Sequence, residues 1–412
     1  MPKPPHETFF TRSRTLSLML YGGKIKPRED SGNEGYGVRV LRDGRLGFAY
    51  CNREGNVGNA IETAASLSRF SPKSGFSFAP KAKAPHVGIC DAGIGEMEAG
   101  GLKEILDEIR EGAEKYSKNT KIMVSAFWEN VRLENSEGFA NGYKCTMLSV
   151  YAEVMDGDGF GYYSNAFTHL PGKYRDMGLH AAEMARRTRK PKKPRAGKYT
   201  VIMEPEVIDD VIDILMPSFL GEWKRRGISI LAGRKGEKFF DEKLGIYDDG
   251  TLDGTGGRPF DDEGTPSKRT PVVEKGVIRN FAYDRENAAL EGREGGGQCS
   301  RPAFSTPPGT GYSNIEIAAG DAGNLEEECG KALLVYSLHG THTANRTTGD
   351  FGVEVNAGMM LNRGKMEAAA GFMLSGNIFN LFKNIEAIEK KTKARGSFFS
   401  PRIAFGNVRV VS

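Results

Sequence analysis

The sequence predicts an α+β fold, with an N-terminal antiparallel sheet carrying helices, followed by a larger β-rich C-terminal domain. Three observations lead there. Asp43-Gly44 sits between two alternating runs, the strongest short-range signal for an antiparallel hairpin. Val57, Ile61, Ala64 and Leu67 then fall on one face of a helix. The chain also holds 53 glycines in 412 residues, which calls for many tight turns and favours sheet over a helical bundle.

Strand alternation is first evident over residues 16–21, returns over 36–40, and crosses the Asp43-Gly44 turn into 46–50. A second helix is expected around Ile105, Ile109 and Ala113, then strands over 122–133 and 143–154. Past His180, the residues Ala181, Ala182, Met184 and Ala185 read as a helix that runs into RRTRKPKKPRAGK. Pro191 and Pro194 stop any helix and the like charges repel, so the boundary between two domains is drawn here, as 1–195 and 196–412.

The second domain opens with a short apolar strand over 199–203. Glu204-Pro205 starts a helix, since proline suits a first helical turn, with Val207, Ile208, Val211, Ile212 and Leu215 on its buried face. A loop-rich tract follows, with strands expected at 271–273 and 277–283 about the Glu274-Lys275-Gly276 turn. Short strands and turns then alternate to Val411. Among them, residues 339–377 combine apolar strand segments with polar, glycine-rich punctuation. Thr347 to Phe351 form a tight polar corner, and Gly349 and Gly364 suit positive φ or close backbone approach.

A net charge of +4 gives a weak global field, so nucleic-acid binding would have to rest on a local patch. The basic run Arg186 to Arg195 has no interleaved aromatics to stack on bases and reads as a solvated linker. The cysteines Cys51, Cys90, Cys145, Cys299 and Cys329 are odd in number and form no CxxC pair, as expected of reduced thiols in the cytoplasm. MPKPPHETFFTRSR has no apolar core of signal-peptide length and no window approaches a membrane span, so a soluble cytoplasmic protein is expected.

Few residue patterns carry chemistry. Asp261-Asp262-Glu263-Gly264-Thr265 could hold a hard cation but lacks the alternating ligand spacing of a calcium loop, and a capped turn is the better reading. His339 and His342 flank Gly-Thr, which suits a turn or strand better than a helical metal pair. Cys299, Ser300 or Ser305 could be a nucleophile, yet no triad spacing and no GxSxG elbow supports one. No GxxxxGK[ST] loop occurs, and EGREGGGQ follows a polar stretch rather than a strand, which argues against a phosphate cradle.

The order of GYGVRVLRDGRLGFA, AAEMARR, GKYTVIMEPEV, PFDDEGTPSKRTPVVEKGVIRNF, HTANRTTGDFG and LSGNIFNLFKNIEAI resembles the TldD/PmbA family, in particular its TldE (PmbA) branch, over nearly the whole chain. The resemblance implies a cytoplasmic peptidase system. In it a zinc-bearing TldD subunit pairs with a TldE subunit around an enclosed channel where extended peptides are cut. The family's catalytic branch carries HExxxH on the first helix of the second domain, with a later cysteine completing the zinc shell. Here Ile212 and Pro217 stand where the histidines should lie, Asp213 stands for the glutamate, and no cysteine follows Cys329.

The resemblance therefore implies no cofactor in this chain, zinc only in a TldD-like partner, and no catalytic residue of its own. The partner would be that TldD-like subunit or a second copy of this chain, and the peptide channel would be faced by His342, Thr348, Gly349 and Asp350. One alternative is a self-sufficient homodimeric hydrolase using Asp261, Asp262, His339 and His342. Another is a nucleic-acid-associated regulator working through Arg186 to Arg195. Family members usually begin with a helix before the first strand; a first strand near Leu16 implies a trimmed start or a smaller first domain.

Overall fold

The computed structural model describes residues 4–293 and 295–412. Six strands, β1 (His6–Tyr21), β2 (Lys24–Arg42), β3 (Arg45–Cys51), β4 (Thr120–Asn135), β5 (Ala140–Asp156) and β6 (Gly159–Phe167), form one antiparallel sheet in the order β3-β2-β1-β4-β5-β6. Four helices accompany it: α1 (Val57–Leu67), the short α2 (Ala92–Gly95), α3 (Ala99–Ala113) and α4 (Tyr174–Arg187). Leu16, Leu18 and Leu20 of β1, with Ile122, Val124, Leu148 and Val150, bury against Leu102, Ile105, Leu106, Ile109 and the alanines of α4. Each such side chain contributes about 1.5–3 kcal/mol by leaving water.

β1 starts at His6 rather than near Leu16. Its inward residues there include Glu7 and Thr11, both buried, and polar inward residues hide a two-residue hydrophobic period. β6 is hidden for another reason. A Cβ at Gly159 or Gly161 would stand 2.0 and 2.1 Å from the Ala185 and Ala181 carbonyl oxygens, so glycine alone lets this strand lie against α4.

The second sheet has eleven strands. β7 (Gly197–Met203) leads into α5 (Pro205–Leu215), followed by β8 (Ile246–Asp249), β9 (Arg269–Glu274) and β10 (Val277–Ile278). β11 (Cys299–Ser300) and β12 (Gly309–Thr310) pair apart from it as a small hairpin. β13 (Ile315–Ile317), β14 (Lys331–His339), β15 (Asp350–Asn362), β16 (Lys365–Ala369), β17 (Phe372–Asn377), β18 (Ile385–Arg395) and β19 (Phe398–Val411) complete it. β7 pairs with both β14 and β19, β19 with β17, β17 with β15 and β15 with β14, so five strands close a ring. Val207, Ile208, Val211, Ile212 and Leu215 of α5 pack into one cluster with Val201, Leu333, Val353, Leu374 and Phe405 of that ring.

The strand expected over 277–283 is only two residues long. The Arg279 N–H turns back to the Val272 carbonyl (2.9 Å), and the Ala282 N–H then bonds the Phe219 carbonyl (2.8 Å), which draws the chain out of the sheet toward the end of α5. The first sheet is joined to loops of the C-terminal half by a buried ionic knot. Arg39 of β2 donates to Glu7 of β1 through Nε and Nη2, each at 2.9 Å, and to Glu263 through Nη1 at 2.6 Å, and Arg301 also reaches Glu7. All four side chains are 5 % exposed or less. Burial alone would raise the Glu7 carboxyl, but Arg39 and Arg301 hold it below its usual value.

Candidate functional site

The strand face opposite the helices is built differently. Side chains alternate across a strand, so the residues out of phase with Leu16, Val124 and Leu148 all point to the other side. In register there stand Ser17, Ser125 and Ser149, one from each of three neighbouring strands. Over them lie parts of the C-terminal half. Arg395, at the end of β18, donates through Nε to the Ser164 carbonyl (3.1 Å) and through Nη1 to Asp209 Oδ2 (3.1 Å), while the Gly396 N–H bonds Asn165 Oδ1 (3.0 Å). These bonds pin the β18–β19 turn and the flank of α5 to the edge of β6.

What remains between is a cleft of about 360 Å³, walled by the three serines on one side and by Asp209, Thr255 and Arg395 on the other. Thr255 also lines a second chamber of about 330 Å³ farther along the same face, where Glu129, Tyr143, Arg258 and Asp262 meet. In the first cleft Ser17 Oγ is buried without a hydrogen-bond partner. Burial pushes Asp209 and Asp210 up to about 6 against the pull of Arg395, and burial together with Asp262 pushes Glu129 up to about 7. The cleft thus offers serine hydroxyls that both donate and accept, with the raised carboxyl of Asp209 on its wall and that of Glu129 in the second chamber.

The positions that the resemblance assigns to a zinc motif do not fit the metal. Ile212 is 2 % exposed within the apolar cluster of the ring, and Pro217 sits in a short 3-10 turn, so neither offers a lone pair. Asp213 points outward; partial burial of its carboxyl pushes it up, against Arg346. Among the described residues no group of three or more His, Cys, Asp or Glu side chains is arranged to hold a metal ion.

Asp261, Asp262 and Glu263 are buried and engaged. Asp261 Oδ1 accepts from the Glu263 and Thr265 N–H groups (3.1 and 2.8 Å), Asp262 Oδ2 from the Arg301 N–H (2.6 Å), and Glu263 from Arg39 and from the Arg285 N–H (2.6 Å). This is the capped turn, with an ionic role the sequence hides. His339 lies opposite Glu354 at the exposed end of β14, and His342 is exposed in a 3-10 turn, so these two and Asp261 with Asp262 form no metal-binding group.

His342, Thr348 and Asp350 lie on an exposed corner whose bonds close on themselves. Thr348 Oγ1 donates to Asp350 Oδ2 (2.8 Å), Asn377 Nδ2 donates to Asp350 Oδ1 (2.9 Å), and these two bonds hold the Asp350 carboxyl below its usual value. Gly349 is buried beneath, at φ +81°, where a Cβ would come within 2.5 Å of the Phe379 ring. The corner does not line either chamber described above. Cys299 is buried, and burial with Glu263, Asp261 and Asp262 around it pushes its thiol well above the usual value, away from the thiolate a nucleophile needs. Ser300 lies in β11 and Ser305 is exposed. EGREGGGQ includes Glu294, which lies outside the described residues. In the basic run, Arg186 and Arg189 lie 3.6 and 3.7 Å from Asp156 and Lys192 lies 3.0 Å from Glu367, so part of its charge is paired.

Residues 196–412 match the family model for the PmbA/TldA metallopeptidase C-terminal domain, and residues 7–68 match the model for domain 1 of the same family. The chain belongs to the TldD/PmbA family. An uncharacterised protein of Methanocaldococcus jannaschii, MJ0231, is 30 % identical over 97 % of this chain and 94 % of its own length. A protein of Methanothermobacter thermautotrophicus named a metalloprotease is 28 % identical over 91 % of this chain and 86 % of its own. The crystal structure of TldE from Thermococcus kodakarensis superposes with a TM-score of 0.90 at 23 % identity, covering 99 % of this chain and 97 % of that one, which establishes the likeness of fold.

The TldD/PmbA landmarks of the sequence do not include the cleft residues Ser17, Ser125, Ser149, Glu129 and Arg258. A signal for the serines was present. Leu16-Ser17-Leu18, Val124-Ser125-Ala126 and Leu148-Ser149-Val150 each set one hydroxyl out of phase inside an apolar run. Arg258 and Glu129 carried none, because only folding brings them together.

Proposed function

We propose that this chain is a TldE-like subunit that holds extended peptides for a zinc-bearing TldD-like partner and does not itself cut them. The observation that carries this reading is the pairing of a polar cleft with Ile212 of α5 and Pro217 of the 3-10 turn after it at the positions assigned to metal ligands. An extended peptide brings a row of backbone N–H and C=O groups that lose water on entering a cleft and must be repaid there. Serine hydroxyls answer either group without regard to the peptide's side chains, which suits sequence-tolerant binding. The partner would supply the metal and its activated water; this chain's residues orient and hold the substrate. We place the system in the cytoplasm, in keeping with unpaired cysteines and with the absence, among the described residues, of a helix long and apolar enough to cross a membrane.

The test is to mix the purified chain with its cognate TldD-like protein. A complex on size exclusion, with peptide cleavage exceeding that of the TldD-like protein alone, is expected. Stoichiometric zinc in this chain by itself, with chelator-sensitive cleavage, would overturn the reading in favour of a homodimeric hydrolase. Salt-sensitive DNA binding that disappears on neutralising Arg186 to Arg195 would favour a regulator instead.

A further inference from the structure

The chamber at the far end of the cleft contains a cation without a full set of partners. Arg258 follows Gly256-Gly257 and turns inward, its side chain 11 % exposed. Its Nη1 lies 3.7 Å from Asp262 Oδ2, beyond hydrogen-bond reach, and its Nη2 is buried with no partner. Asp262 is already committed to the Arg301 N–H. Arg39 makes the contrast: it binds two carboxylates through three nitrogens.

Guanidinium does not shed its proton, so buried N–H groups left unmatched call for an acceptor. A carboxylate offers two oxygens at the spacing of the guanidinium fork. Resting on the peptide-holding reading, we propose that this chamber receives a carboxylate of the bound peptide, its C-terminus or an acidic side chain, on the free edge of Arg258.

The surroundings agree with that chemistry. A volume of about 330 Å³ accommodates one peptide residue and its carboxylate. Arg301, also on the wall, uses Nε and Nη2 on Glu7 and the Asp262 carbonyl and keeps its Nη1 buried without a partner, and Tyr312 donates to the Met216 carbonyl. Arg258 Nη2 and Arg301 Nη1 are therefore the cationic N–H groups with capacity to spare, and Arg258 is the one whose guanidinium makes no hydrogen bond at all among the described residues. Glu129 stands in the same chamber, and burial with Asp262 pushes its carboxyl up to about 7, so near neutrality it is protonated in part and able to donate to an incoming carboxylate rather than repel it.

The test uses the full chain and three fluorescein-labelled peptides of alanine, serine and glutamine: one with a free C-terminal carboxylate, its C-terminal amide, and an amide with one internal glutamate. Fluorescence anisotropy is expected to give roughly tenfold weaker binding for the plain amide than for the free acid. Retention of affinity by the internal-glutamate amide assigns the site to side chains; its loss assigns it to the chain terminus. R258M and R258K, checked for folding by thermal melts, are expected to erase the preference while still binding the amide. If all three peptides bind the wild type alike, the carboxylate assignment is overturned and peptide holding stands. If none binds, the peptide-holding reading falls and this assignment with it.

Discussion

The two faces of the six-stranded sheet are made by the same strands, one residue out of phase, and they do opposite work. One face spends its side chains on α3 and α4 and leaves nothing open. The other carries Ser17, Ser125 and Ser149 under an incomplete cover, held at one end where Glu7 and Arg39 meet Glu263 and Arg301 and at the β6 edge by Arg395 and Gly396. Apolar packing thus fills the helical face, the ionic knot fixes one end of the other, and the open space lies between the serines and their cover. A protein whose fold was all that mattered would have filled that gap with apolar side chains.

Substitutions can break this contrast, beginning with the knot. Arg39→Ala leaves Glu7 and Glu263 with buried charge and is expected to cost about 3–5 kcal/mol in urea unfolding. A loss below about 1 kcal/mol would mean that water reaches the knot. Leu148→Ala, on the helical face, removes fully buried surface and should cost about 2–4 kcal/mol by the same measurement.

Glu129→Gln sharpens the comparison through pH. Its folded carboxyl titrates near 7 against an ordinary value of 4.5, so the wild type keeps the associated stability below about pH 4.5 and loses it as pH rises through 7. The variant should match the wild type in acid and be more stable near pH 8 by about 1–2 kcal/mol, read from unfolding curves at the two pH values. The smallest expected stability effect belongs to Ser149→Ala, within about 0.5 kcal/mol, together with weaker peptide binding by anisotropy. A serine face that served packing alone would show the reverse, with lost stability and unchanged binding.

Much of the fold was legible because its signals are local. The Asp43-Gly44 hairpin and the buried face of α5 both appear as expected. Elements defined by distant partners were not. β6 needs α4 against its glycines, and the front of β1 faces inward with Glu7, whose partner Arg301 lies 294 positions along the chain. Arg39 and Glu263 are 224 positions apart, a separation no periodicity reveals. The candidate site was less legible still. Polar corners such as Thr347 to Asp350 draw notice in a sequence because turns are polar, whereas the cleft is written in single serines inside apolar strands.

The ring in the C-terminal half bears on how this protein is made. β7 is the first of its five strands to leave the ribosome, yet both of its neighbours, β14 and β19, lie far downstream, and one of them joins it in parallel. During synthesis β7 therefore waits with two bare edges, exposed to pairing with other chains, until the later strands arrive. Non-local closure of this kind is slow, and it makes the nascent chain dependent on whatever shields that strand in the interval.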